Sequence, residues 1–110
     1  MKIARFHPKV KAILREFPDD VKRELGKAIF DLQKGIKLTM PLSKTMPSIS
    51  VGVEELRVKD RSGTYRVFYL ARLKNEVLVF HAFQKKTQKT PQSEILLGQK
   101  RLKEMLDEKN

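Results

Sequence analysis

The chain has 110 residues, with 24 Lys plus Arg against 13 Asp plus Glu and a formal net charge of +11. This is the length of one domain, 1–110, able to bury a core without staples. The lack of Cys excludes disulfides and thiolate metal sites, and two His far apart in sequence do not make a zinc centre, so neither metal nor cofactor is expected.

The first residues, Met-Lys-Ile-Ala-Arg-Phe-His, hold no long apolar run, which argues against a signal peptide or a membrane span and for a cytoplasmic protein. Residues 2–6 suit a short strand. His7-Pro8 then opens a helix, because proline's missing N–H costs little in a first turn. Val10, Ile13, Leu14 and Phe17 share one face of that helix. Phe17-Pro18-Asp19-Asp20 breaks it and starts a second, with both Asp in the first turn, where they complement the helix dipole. Val21, Leu25, Ala28, Ile29 and Leu32 follow at helical spacing, and Gly35 caps the end. Together the two segments read as an αα-hairpin.

Residues 36–52 hold Pro41, Pro47, Gly52 and several Ser and Thr without a clean period. This stretch reads either as a loop framing a site or as a mobile connector. Strand-type residues follow at Val53 to Lys59, Tyr65 to Leu73 and Val77 to Phe83. A turn over 60–63 pairs Lys59 with Thr64, setting Arg57 opposite Arg66 and Glu55 opposite Phe68. A two-residue turn at Lys74-Asn75 pairs Leu73 with Glu76, setting Arg66 opposite Phe83 and Phe68 opposite His81. One face then carries Glu55, Arg57, Arg66, Phe68, His81 and Phe83. The other carries Leu56, Val58, Tyr65, Val67, Tyr69, Ala71, Leu78, Phe80 and Ala82, apolar enough to receive the helices. A last helix is expected from Thr90 as N-cap and Pro91 at its first position, with Ile95, Leu96, Leu102, Met105 and Leu106 as its apolar stripe. Gly98 within it marks either a weak point or close packing. The fold class is α+β, in the order (β)ααβββα, with an αα-hairpin packed on an antiparallel sheet and a C-terminal helix.

The strand face ends in Lys85-Lys86-Thr87, with Lys89 close behind. Charge excess of this size calls for an anionic partner, and Arg, Lys and His around one carboxylate suit a phosphodiester better than a neutral metabolite. A pair of Arg grips a phosphate and stabilises charge added in a transition state, but Arg is no base. Lys85 lies in phase with His81 and Phe83 among cations, which depress a Lys pKa and suit it to take a proton, while His81 and Glu55 are the orthodox candidates. Phe68 and Phe83 offer rings on which bases stack, and Lys59, Lys86, Thr87 and Lys89 offer backbone contacts. The set suits metal-free cleavage of RNA by its own 2′-hydroxyl. Plainer readings stand beside this one. Glu55 and Arg57 also fit an ordinary ion pair, His81 a half-buried sheet residue, the two Phe packing under a helix, and the Lys phosphate contacts without catalysis. The chain would then be a non-catalytic RNA- or ribosome-binding module, or a basic protein that holds an acidic partner.

Val53-Glu54-Glu55-Leu56-Arg57, Tyr65-Arg66-Val67-Phe68-Tyr69, His81-Ala82-Phe83-Gln84-Lys85-Lys86-Thr87, and Thr90-Pro91 followed by a helix with Arg101 form a spaced series. With the helical start from Phe17-Pro18 to Leu32-Gly35, it resembles the phage-derived, HigB-like branch of the RelE toxin superfamily over almost the whole chain. The resemblance implies a RelE-like fold and an mRNA endoribonuclease of a type II toxin–antitoxin pair that cuts mRNA on the ribosome and stops translation. It implies a HigA-like antitoxin with a helix-turn-helix domain as partner. The family's basic positions fall on Arg57, Arg66, Lys85 and Lys86. Some relatives use a C-terminal catalytic Tyr, and the end of this chain has none.

Overall fold

A computed structural model describes residues 1–87 and 89–108; the expected domain span, 1–110, also includes 88, 109 and 110, which lie outside the described residues. The elements are β1 (Ile3–Phe6), α1 (Pro8–Arg15), α2 (Asp19–Gln33), β2 (Ser43–Thr45), β3 (Val53–Asp60), β4 (Gly63–Leu70), β5 (Glu76–Lys85) and α3 (Gln92–Asp107). They form an α+β fold around one five-stranded sheet in the order β1-β5-β4-β3-β2, with β1 parallel to β5 and the other neighbours antiparallel. No helix among the described residues is long and apolar enough to cross a membrane.

The sheet is covered on both sides. On one side, Val10 of α1 and Val21, Leu25, Ala28 and Leu32 of α2 pack against Leu56, Val58, Tyr65, Val67 and Tyr69. His7 caps α1, its Nδ1 accepting from the backbone N–H of Lys9, and Asp19 and Asp20 occupy the first turn of α2, as the sequence leads one to expect. Gly35 just past α2 has φ +88°, a left-handed geometry that glycine adopts without strain. On the other side, Leu102 and Met105 of α3 pack on Phe68, Leu70, Leu78, Phe80 and Phe83.

Three expectations need correction. The Lys74-Asn75 turn is instead a connection over 71–75, and Leu73 does not pair with Glu76, because β4 ends at Leu70. The expected pairs Arg66–Phe83 and Phe68–His81 nevertheless form, because the register shifts by one residue between Phe68 and Tyr69, which pairs with Val79. This bulge flips the alternation of β5 before it. Val77 and Val79 therefore face the αα-hairpin, while Leu78 and Phe80, expected there, join the core under α3. Second, the 36–52 stretch contributes an edge strand, β2, paired to β3. Third, α3 has Pro91 as its N-cap rather than Thr90, and Leu96 is exposed; the helix buries Gly98, Arg101, Leu102 and Met105. Gly98 is a point of close packing, since a Cβ there would lie 2.8 Å from Cδ2 of Phe68.

Candidate phosphate-binding cleft

The β3–β4 register is the one the 60–63 turn dictates, and it arranges the charged face in three rungs. They are Glu55–Phe68–His81, Arg57–Arg66–Phe83 and Lys59–Thr64–Lys85. Helix α3 lies over the first rung and reaches the second; the third stays open. The face expected as one surface is thus divided into a core half and a solvent half.

The solvent half is a cleft of about 590 Å³ lined by Arg57, Lys59, Thr64, Arg66, Lys85, Lys86 and Thr87. Glu55 is buried at its inner end. Its Oε1 lies 4.0 Å from Nε of Arg57 and 3.9 Å from Nε of Arg66, and its Oε2 accepts a hydrogen bond from Oγ1 of Thr90 at 3.2 Å. Both Arg Nε atoms are buried against this carboxylate, and among the described residues neither has a hydrogen-bond partner. One buried carboxylate therefore holds two guanidiniums side by side, and both residues line the cleft, a pairing of cations that suits an oxyanion. Burial lowers the Arg66 pKa, opposed by Glu55 and assisted by Arg57. The Lys85 amine is lowered by burial and then by Arg66, against the pull of Glu55, with Arg57 and Lys44 adding to the depression. A larger share of it is the neutral amine near neutral pH than for an ordinary Lys.

Arg57, Arg66, Lys59, Lys85, Lys86 and Thr87 meet in this cleft as the sequence suggests. Lys89 is exposed beside it, its carbonyl accepting from Oγ1 of Thr87 at 2.7 Å. The structure does not bring Phe68, Phe83 or His81 into the cleft. Phe68 is 0% exposed and, like Phe83, packs beneath α3, which leaves neither ring a face for a base.

His81 is buried too, and its role is set by α3. Its Nδ1 lies 2.6 Å from a guanidinium nitrogen of Arg101, and its Nε2 lies 2.7 Å from Oε1 of Glu94. A guanidinium only donates, so Nδ1 accepts and Nε2–H donates to Glu94, which fixes the neutral tautomer. Burial pushes the His81 pKa below its usual value; Glu94 opposes this, and Arg101 and His7 add to it. The chain's other His, His7, binds Glu104 of the same helix at 2.9 Å. Both His therefore clamp α3 to the sheet. Because the folded-state pKa of His81 lies below that of the unfolded chain, the unfolded state takes up the proton first as the solution is acidified. The stability that neutral His81 contributes is complete above about pH 6.5, the ordinary value, and is lost as pH falls below it. Urea midpoints measured from pH 7.5 down to 5.5 should fall, and more steeply than those of His81→Gln; equal slopes would rule this clamp out.

Three residues of the site escape a reading of the sequence. Lys44 on β2 pairs with Glu55 and adds its charge near Lys85. Thr64 lines the cleft, and Thr90, which looks like a helix cap, instead anchors Glu55. The signal for Thr64 was its pairing with Lys59; nothing in the aperiodic 36–52 stretch marks Lys44. Tyr65 and Tyr69 lie in the core as expected. Burial holds the Tyr69 hydroxyl up at about 12, and Ser43 bonds it at 2.5 Å.

A family model described as phage derived protein Gp49-like matches residues 12–103. Among solved structures, the isolated E. coli RelE toxin is similar in fold, with a TM-score of 0.56 at 17% identity over 81% of this chain and 89% of that one. A chain of the intact E. coli RelBE toxin–antitoxin complex gives a TM-score of 0.49 at 18% identity over 79% of this chain and 100% of that one. No curated protein matches.

Proposed function

The chain belongs to the phage-derived Gp49-like family, and from that premise we propose that it is the toxin of a type II toxin–antitoxin system, a HigB-like member of the RelE superfamily that cuts mRNA. The observation that carries the reading is the pair Arg57 and Arg66, held beside Glu55 at the floor of a cleft lined otherwise by Lys and Thr. Such a floor suits a phosphodiester whose charge grows during reaction.

Cleavage proceeds by attack of the RNA's own 2′-oxygen. Lys85, as neutral amine, takes the 2′-hydroxyl proton. The 2′-oxygen bonds to the adjacent phosphorus, the bond to the 5′-oxygen of the next nucleotide breaks, and that oxygen leaves with a proton from solvent. The products are a 2′,3′-cyclic phosphate and a 5′-hydroxyl. Arg57 and Arg66 hold the non-bridging oxygens, Glu55 and Thr90 keep the two guanidiniums in place, and Lys59, Lys86, Thr87 and Lys89 hold the flanking backbone. His81 keeps α3 seated and takes no part in proton transfer. The substrate is mRNA in the ribosome, in the cytoplasm, and a HigA-like helix-turn-helix antitoxin is the natural partner.

The chemistry is tested on ribosomes programmed with an mRNA that carries a single 2′-deoxyribose just before a mapped cut. Loss of that cut is expected, and cutting at the deoxy position would show that the 2′-oxygen is not the nucleophile.

A further inference from the structure

The far end of β3 from the basic cleft carries a second cleft, of about 530 Å³, between the end of α2, the 36–52 stretch and the connection after β4. Six residue steps along β3, about 20 Å, separate Val53 at this cleft from Lys59 at the other. Its chemistry differs. The floor holds Leu32 and Val53, and among the described residues no aromatic ring lines it. Ile36 and Val51 stand at its mouth, 46% and 77% exposed. Gly52 has φ +88° and lies against the side chain of Arg72, so a Cβ at that position would displace the guanidinium from the rim.

The charge at this rim is mainly positive. Lys2, Lys37 and Arg72 surround the apolar floor. Among the described residues Glu54 is the one carboxylate lining it, and Oγ of Ser43 donates to that carboxylate at 3.2 Å. Apolar side chains left in water beside a ring of cations fit a ligand with the opposite pattern, apolar in the middle and acidic at the edges. A nucleic acid fits poorly, because its phosphates would meet leucine and valine while the Arg and Lys cleft offers them donors. A purely acidic chain would leave Ile36 and Val51 uncovered.

We propose that this cleft docks an acidic segment of a partner protein that inserts apolar side chains between Ile36 and Val51 and sets its carboxylates against Lys37 and Arg72. The partner in view is a protein, and the inference does not rest on the ribonuclease reading. Since the two clefts lie at opposite ends of β3, a partner anchored here leaves the basic cleft open unless it extends along the sheet edge at β2.

The test uses the whole chain and a short fluorescein-labelled peptide of alternating Leu and Glu, followed by anisotropy at physiological salt, where non-specific attraction is screened. Binding is expected to weaken by at least about tenfold in the double variant Ile36→Asp, Val51→Asp, and when Ser replaces Leu in the peptide, as for loss of a central apolar anchor. Both positions are exposed, so the variant keeps its fold, which an unchanged melting curve verifies. Lys37→Glu, at the rim, gives a second weakened variant without touching the apolar mouth. Arg57→Ala is expected to leave the affinity unchanged. The proposal is overturned if the Leu–Glu peptide does not bind, if the Ser–Glu peptide binds as tightly, or if Arg57→Ala weakens binding while Ile36→Asp, Val51→Asp does not.

Discussion

Arg57→Ala is expected to lower RNA cleavage by roughly 10²–10³-fold, the usual cost of removing one donor aimed at developing charge, while the protein stays folded. Two features set the expected separation of activity from stability. The Arg57 side chain is 28% exposed and sits 4.0 Å from Glu55, against 7% and 3.9 Å for Arg66, so its removal is expected to cost less stability than that of Arg66. Glu55 keeps Arg66 and Thr90 when Arg57 is removed. Arg66→Ala differs. It removes an almost fully buried guanidinium and leaves the buried Glu55 with Arg57 and Thr90 alone. Breaking a buried pair costs about 3–5 kcal/mol when nothing else compensates, and Arg57 lessens that here. Cleavage should fall at least as far as in Arg57→Ala, with a lower melting temperature. Parallel cleavage assays and melting curves on the two variants check both statements. An Arg57→Ala protein that cuts at the wild-type rate would remove the guanidinium pair from the mechanism.

Phe68→Ala is the substitution with the largest expected cost in stability. Its ring is fully buried between Phe80, His81 and Phe83, at centroid distances of 6.2, 5.5 and 5.5 Å, and lies against the backbone at Gly98. Emptying such a site costs about 3–5 kcal/mol, out of a total stability on the order of 5–15 kcal/mol. A fall in melting temperature of roughly 12–25 °C follows for a chain of this size. A ring that stacked on a nucleobase would behave otherwise, since Ala would leave the melting temperature alone and weaken RNA binding. Phe68→Leu separates the two roles. It keeps most of the volume and stays apolar, so it should restore most of the stability and the activity together. A stable Phe68→Leu protein with poor RNA binding would return Phe68 to the substrate site.

The contrast between these two residues shows where the sequence is legible. Arg57 and Arg66 meet because the tight turn at Arg61-Ser62 sets the β3–β4 register, and such turns can be read from Asp, Ser and Gly. The two helices of the αα-hairpin declare their buried face by period. The bulge after Phe68 has no such mark. No glycine stands near it in β5, and the reversed facing of Leu78 and Phe80 shows only once the strand is paired. Edge strand β2 is three residues long and polar, too short for a period, so nothing in the sequence marks Lys44. The stripe of α3 is visible, but a stripe does not say which side of a sheet it will cover. By lying over the Glu55–Phe68–His81 rung, α3 engages His81 through Glu94 and Arg101 and leaves Arg57, Arg66 and Lys85 lining the open cleft.

The central claim is that this cleft cuts RNA. Primer extension on total RNA after brief expression tests it most directly, comparing the wild-type chain with the Arg57→Ala, Arg66→Ala double variant at equal folded protein levels. New 5′ ends within coding sequence are predicted for the wild type and none for the variant. Growth arrest by the wild type without new 5′ ends, or the same ends in both strains, would contradict the account.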